Sequence, residues 1–236
     1  MKTLNTIPLL FVLSLFCCPF IAKAQISYSD VATSLGLQHT SGADSGLGTG
    51  ISFYDFNQDG WDDLTLGMLG DSIVFYQNTG SGFQQINSMV PYTGNSKQIL
   101  WVDYDNDGYK DLYVAGDMTG NKLYRNDAGS LTDVTVAAGI PTDSMPTFGI
   151  TFGDYDNDGF LDLYITNRVL YAATFSTYFY HNEGDGTFVD VTLAAGVSDS
   201  LKGPFGACFL DINHNGWSDL YVFEDETITY GLVLRT

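Results

Sequence analysis

Asp154-Tyr155-Asp156-Asn157-Asp158-Gly159-Phe160-Leu161-Asp162-Leu163 decides the reading of this chain, because the same pattern stands at three other places. Asp55-Phe56-Asn57-Gln58-Asp59-Gly60-Trp61-Asp62-Asp63 precedes it, as does Asp103-Tyr104-Asp105-Asn106-Asp107-Gly108-Tyr109-Lys110-Asp111; Asp211-Ile212-Asn213-His214-Asn215-Gly216-Trp217-Ser218-Asp219 follows. The copies start 48, 51 and 57 residues apart, a period that means a stack of similar units. Each copy places oxygen-bearing side chains at positions 1, 3, 5 and 9, glycine at 6 for a tight turn, and a backbone carbonyl at 7. That is the oxygen cage a hard cation of calcium size prefers. The expected metal ligands are Asp55, Asn57, Asp59, Trp61 (carbonyl) and Asp63 in loop 1, and Asp103, Asp105, Asp107, Tyr109 (carbonyl) and Asp111 in loop 2. They are Asp154, Asp156, Asp158, Phe160 (carbonyl) and Asp162 in loop 3, and Asp211, Asn213, Asn215, Trp217 (carbonyl) and Asp219 in loop 4.

An EF-hand would close the cage with Glu at position 12, but those positions hold Leu66, Val114, Ile165 and Val222. The runs after the loops, Leu112-Tyr113-Val114 and Leu163-Tyr164-Ile165, are β-branched and aromatic, so the loops join strands rather than helices. The bland alternative is a plain Asp-Gly or Asn-Gly hairpin turn. Four carboxylates in loops 2 and 3 would repel one another without a counter-cation, which argues for metal there. Loop 1 has one carboxylate replaced by Asn57 and is expected to bind nearly as readily, whereas loop 4 retains only two charged ligands, so three sites are expected with a fourth, weaker one in loop 4.

The rest of the unit repeats as well. Gly50-Ile51-Ser52-Phe53, Gly149-Ile150-Thr151-Phe152 and Gly206-Ala207-Cys208-Phe209 precede the loops. Tyr76-Gln77-Asn78, Tyr124-Arg125-Asn126 and Tyr180-His181-Asn182 follow about twenty residues later, and Asp133-Val134-Thr135 with Gly139 matches Asp190-Val191-Thr192 with Gly196. Four strands per roughly 50 residues make a propeller blade. The expected fold class is all-β, a β-propeller of four-stranded antiparallel blades with one DxDxDGxxD calcium loop per blade and about four repeats. The spans are an N-terminal segment at 25–47, then repeats at 48–97, 98–146, 147–203 and a partial one at 204–236. Tyr28-Ser29-Asp30-Val31 with Gly36 carries the Asp-to-Gly offset of the last strand, so it is expected to be an orphan outer strand.

A formal net charge of -19 excludes a basic nucleic-acid footprint. Twenty-six glycines and thirty-one Tyr plus Phe beside six prolines describe a turn-rich, strand-forming chain. Lys2, the apolar run Ile7 to Phe16 and Ala22-Lys23-Ala24 read as a secretory signal peptide over 1–24, so the mature protein is expected outside the cytoplasm or at the cell surface. Cys17 and Cys18 fall inside it, leaving Cys208 alone and no intrachain disulfide. No later run reaches the roughly 18 to 20 apolar residues of a transmembrane helix.

With its Asp loops, Phe152-Gly153-Asp154, and Leu123-Tyr124-Arg125-Asn126 leading to Asp133-Val134-Thr135-Val136-Ala137-Ala138-Gly139-Ile140, the chain resembles the FG-GAP or VCBS repeats of integrin-type propellers, especially bacterial relatives of cartilage acidic protein. The resemblance covers nearly all of 25–236 and implies secreted or surface calcium-binding propellers, of about seven repeats, used in adhesion, matrix or carbohydrate contact. Departures are the missing Gly-Ala-Pro half of the FG-GAP pattern and Gln84-Gln85-Ile86-Asn87 in place of an Asp-Val-Thr strand. Repeat 4 is expected to stop after Phe223 without its last strand pair. Three and a half units would not close such a ring, so the chain is read as a truncated product of a longer frame, the alternative being closure by another chain through an open blade edge.

Nothing marks a nucleophile or triad among His39, His181 and His214 or the serines. The carboxylate pairs fit metal ligation better than glycosidase acid–base work. His214 reads as solvated before it reads as a transition-metal ligand, Cys208 as a small hydrophobe facing a neighbouring blade, and Tyr171 to Tyr180 as the one insertion able to offer an aromatic patch. The expected function is a calcium-stabilised scaffold for adhesion or for binding a glycan or protein, not an enzyme. The alternatives are a structural subunit of a surface assembly, or a propeller lyase or hydrolase.

Overall fold

The computed structural model describes residues 27–39, 49–168, 176–197, 204–224 and 231–233. The chain divides into two units, Met1–Val31 and Ala32–Thr236. Residues 27–31 of the first form no strand. The expected signal segment 1–24 and most of the insertion after Arg168 lie outside the described residues.

In the second unit, β1 (Ile51–Tyr54), β2 (Asp63–Leu66), β4 (Val74–Asn78) and β5 (Phe83–Ile86) form one antiparallel sheet, and β3 (Asp71–Ser72) pairs with β6 (Thr93–Gly94) as a small ribbon beside it. β7 (Ser96–Val102), β8 (Asp111–Gly116), β9 (Lys122–Asp127) and β10 (Ser130–Asp133) form the second sheet. The third holds β11 (Thr147–Gly153), β12 (Asp162–Asn167), β13 (Tyr178–Asn182) and β14 (Phe188–Asp190). The last described sheet has three strands, β15 (Pro204–Leu210), β16 (Asp219–Glu224) and β17 (Gly231–Val233). Among the described residues the molecule is all-β, its only helical piece one 3-10 turn at Thr33–Leu35. First strands of successive sheets lie against one another, an arrangement consistent with a propeller-like fold.

Packing follows from the pleat. Alternate residues of a strand face opposite sides, and every residue of β8 and β12 is buried. Leu112 and Val114 enter a core with Phe75, Ile99 and Trp101 of sheets 1 and 2. Their neighbours Tyr113 and Ala115 face the other way, into a core with Ile150, Leu163 and Ile165. Tyr164, between those last two, packs with Phe179, Leu220 and Val222 of the next interface. This double-sided burial is why the strands read as continuous apolar runs, each fully buried large side chain contributing about 1.5–3 kcal/mol. Polar crosslinks tie the sheets: Trp101 Nε1 donates to Thr65 Oγ1 at 3.0 Å, and Ile150 N to Gln98 Oε1 at 2.7 Å. β7, β11 and β15 share a register irregularity after their first residue, and it places Lys97, Phe148 and Phe205 in a column. There the Lys97 ammonium sits 5.3 Å from the Phe148 ring, and Arg168 lies 5.3 and 5.0 Å from the rings of Phe148 and Phe205.

Three expectations need correction. The orphan strand is absent: Asp30 to Gly36 instead enters a turn in which Leu37 N donates to Ala32 O and Gly36 N to Thr33 O. The same bonds close Thr135–Ile140 and Thr192–Val197, so the Asp-to-Gly offset encodes this turn and not a strand. The fourth repeat does not end after β16, since β17 pairs with it through Leu220 and Val233. An open strand edge offers backbone groups that a short β-prone run satisfies. Cys208 is exposed rather than turned to a neighbouring sheet. Ala207 and Phe209 pack toward sheet 3, so the pleat sends Cys208 to the other face.

Candidate metal centre

Each Asp-rich loop links the first and second strands of its sheet, and all four adopt one backbone. Position 6 is glycine at φ 87 to 92° in every copy, a left-handed turn that glycine takes without steric cost. Position 4 is left-handed as well, at φ 58 to 60° in Gln58, Asn106, Asn157 and His214. Asparagine tolerates that conformation better than most residues, and it has a second use here. Asn106 Nδ2 donates to Gly159 O and Asn157 Nδ2 to Gly216 O, each at 2.9 Å, so one loop holds the turn of the next. Position 4 was not among the expected site residues, although the repeated Asp-Asn-Asp-Gly of loops 2 and 3 carried the signal.

The position-1 carboxylates fold over their own loops. Asp55 accepts from Asp59 N at 3.0 Å and Gly60 N at 2.7 Å; Asp154 accepts from Asp158 N and Gly159 N at 3.2 and 3.0 Å; Asp211 accepts from Asn215 N and Gly216 N at 3.1 and 2.9 Å. Asp103 accepts from Gly108 N at 3.2 Å through Oδ2. Position 3 accepts from the position-5 amide in Asn57, Asp105 and Asn213. Position 5 accepts from the position-7 amide in Asp59, Asp107, Asp158 and Asn215, which fixes the backbone of Trp61, Tyr109, Phe160 and Trp217.

Position 9 differs from the others. Asp63, Asp111, Asp162 and Asp219 are fully buried. One oxygen of each accepts from the position-2 amide, those of Phe56, Tyr104, Tyr155 and Ile212 at 2.9–3.1 Å. In the first three sheets the other oxygen accepts from Asn78 N, Asn126 N or Asn182 N at 2.8–2.9 Å, reaching across to the third strand of the sheet. These carboxylates therefore lock loop to sheet. Burial pushes the Asp111 carboxyl up to about 7, against the pull of the Asn126 and Tyr104 amides and with a further rise from Asp105 and Asp107. Burial likewise takes Asp162 to about 6 and raises Asp63 and Asp105.

Ligand atoms converge in two loops. Asp103, Asp105 and Asp111 form a cluster in loop 2, and Asp154, Asp156 and Asp158 form another in loop 3, donor atoms in each lying within 4.8 Å of one another. Asp156 and Asp162 form a further cluster with His181, which strand pairing on β13 brings to the loop. Asp107 stands outside the loop 2 group, and no such trio occurs in loops 1 and 4 among the described residues. The donor sets of loops 2 and 3 fit a cation on a separate ground: Asp103 Oδ1 and Asp156 Oδ1 are buried without a hydrogen-bond partner among the described residues. A buried anionic oxygen with no donor is costly unless something positive completes it.

Fold and loops together define a protein of FG-GAP-like repeats, and the family model of that repeat matches residues 55–114 and 103–165 in tandem. The chain is similar to Cartilage acidic protein 1 of Mus musculus, 25% identical over 196 residues that cover 77% of this chain and 27% of the relative. It is similar to Cartilage acidic protein 1 of Homo sapiens, 26% identical over 187 residues covering 77% and 26%. The chain thus spans about a quarter of the length of these curated relatives. Among solved structures it is similar to a chain described in connection with specific recognition of non-reducing terminal N-acetylglucosamine by an Agrocybe aegerita lectin, with a TM-score of 0.44, 18% identity, and coverage of 75% of this chain and 48% of that one. No helix among the described residues is long and apolar enough to cross a membrane.

Proposed function

We propose that this chain is a calcium-stabilised binding scaffold that works outside the cytoplasm, its repeat sheets presenting a surface to a protein or glycan. The observation that carries the metal part is the pair of buried oxygens without a hydrogen-bond partner among the described residues, Asp103 Oδ1 and Asp156 Oδ1, one in each of the two acidic clusters. All-oxygen donors suit calcium better than a softer ion. Asp103, Asp105 and Asp111 would hold it in loop 2, and Asp154, Asp156 and Asp158 in loop 3. The export part rests on the leader-like segment 1–24. A binding role fits better than a catalytic one, because the loop carboxylates are taken up in hydrogen bonds with backbone amides.

A structural role in a larger assembly is the second reading. Ile51 and Phe53 on the first sheet and Leu210 and Phe223 on the last are 40–59% exposed, apolar positions at both ends of the described stack.

Circular-dichroism melts of the protein in excess chelator and in several millimolar calcium test the metal reading. Extracellular calcium modules bind with Kd on the order of 0.1–1 mM, so each occupied site adds about 1–2 kcal/mol at such concentrations. The expected result is a cooperative β-structure transition that rises by several degrees with calcium; coincident melts would overturn the reading. Retention on a glycan array in calcium supports the binding role, whereas a stable protein complex without glycan binding supports the structural one.

A further inference from the structure

The geometry points to a second kind of metal site in repeat 3, in which His181, Asp156 and Asp162 take a borderline divalent ion of the zinc or cobalt type. The inference deepens the metal reading of loop 3 and rests on it for the role of Asp156. His181 Nδ1 lies 3.0 Å from Asp162 Oδ1 and 3.5 Å from Asp156 Oδ2. Donors bound at about 2.1 Å to one ion stand roughly 3.0 Å apart in octahedral and 3.4 Å apart in tetrahedral arrangement; the two histidine–carboxylate distances fall close to those values, and all three donor atoms lie within 4.8 Å of one another. One imidazole nitrogen among carboxylates shifts preference away from calcium, which favours oxygen alone.

Two further observations accompany the spacing. Asp156 faces His181 through Oδ2, while its buried Oδ1, the oxygen already read as a calcium ligand, has no hydrogen-bond partner among the described residues, so the whole carboxylate is available to a cation. The triad is also peculiar to this repeat: strand pairing puts Gln77 at the equivalent place opposite Gln84 in sheet 1, and Arg125 opposite Thr132 in sheet 2, where His181 stands opposite Val189 in sheet 3. A cationic Arg125 beside loop 2 excludes a second ion there; His181 does not. The site is reachable from solvent, with side-chain exposures of 21% for His181 and 25% for Asp156, while Asp162 is fully buried and anchored by the amides of Tyr155 and Asn182. Asp156 belongs to both loop 3 clusters, so the borderline ion and calcium contend for it.

The test titrates Co2+ into the calcium-free protein, where nothing competes for Asp156, following ligand-field absorption and the histidine ring proton resonances. The expected result is one equivalent bound with imidazole ligation, paramagnetic broadening confined to His181, and at least ten-fold weaker binding in His181→Gln, a residue that repeat 1 accepts at this position. His214→Gln in loop 4 should leave the titration unchanged. Equal Co2+ affinity in His181→Gln, or broadening at His214 instead, overturns the inference and leaves His181 as a plain hydrogen-bond donor to Asp162. The resonance measurement uses the unsubstituted protein, so it decides even where the variant folds poorly. A calcium-dependent melt that persists while Co2+ fails to bind sinks only this inference; loss of the calcium effect together with intact Co2+ binding sinks only the calcium reading.

Discussion

At the scale of single residues, the nine-position loop separates two jobs that its carboxylates share in name only. Asp111 is fully buried and satisfies Tyr104 N and Asn126 N at once, whereas Asp107 is exposed and satisfies only Tyr109 N, two residues on. Asp111→Ala strands two amides, so it should cost about 2–4 kcal/mol even in chelator. Asp107→Ala should cost less than about 1 kcal/mol there and no more than the loss of one calcium ligand when calcium is present; paired chemical-denaturation curves of the two variants check this, and equal losses in chelator would contradict it. Asp111 also sets a pH dependence. Its carboxyl stands near 7 in the fold through burial, with Asp105 and Asp107 adding to the rise, against an ordinary value of 3.8. The folded state therefore holds this proton more tightly than the unfolded chain. The metal-free protein draws stability from Asp111 that is fully present below about pH 3.8 and is lost as pH rises through about 7. Calcium needs the ionised form, so the calcium-induced rise in melting point should be smaller at pH 5 than at pH 8, and Asp111→Asn should flatten the chelator profile. Melts at the two pH values in both buffers measure it.

At the scale of elements, the turn after the last strand of a repeat is a docking piece. A Cβ on Gly139 would stand 2.7 Å from Phe188 O, and one on Gly36 would stand 2.5 Å from Phe83 O. Phe188 N closes the first of these contacts by donating to Ala138 O at 2.9 Å. Each turn thus seats on the first residue of the next sheet's outer strand. Gly196 has the same left-handed backbone, φ 70°, but nothing among the described residues lies within 4 Å of the Cβ position. Gly139→Ala should accordingly destabilise by about 2–3 kcal/mol, strain plus clash, and Gly196→Ala by about 1 kcal/mol, strain alone. Similar melting points for the two variants would show that the turn does not bear on the neighbouring sheet. The strand order within each sheet was readable because copies could be aligned against one another. The turn was misread at Tyr28-Ser29-Asp30-Val31, since an Asp-to-Gly offset of six is shared by a strand end and by the turn that follows it.

At the scale of the whole molecule, burial on both faces distinguishes the middle sheets from the outer ones. Cys208 stands on the face of the last sheet opposite Ala207 and Phe209. In native buffer it should react with a maleimide at a rate close to that of the unfolded protein, and a form from which residues 1–24 have been removed should label once, because Cys17 and Cys18 lie in that leader-like segment. Slow labelling would mean that this face is covered, and three labels that the segment is retained. By itself the sequence determined what is local or repeated: four nine-residue loops with their glycine turns, the strands that flank them, and the all-β class. Those follow from spacings shorter than a turn or from copies that confirm one another. Only the tertiary structure decided which carboxylates converge, that Asp63, Asp111 and Asp162 lock loops to third strands, that Asn106 and Asn157 chain one loop to the next, and that His181 reaches loop 3. The physical reason is that strand pairing and sheet stacking join residues 15 to 59 positions apart, and no local spacing encodes which of them will meet.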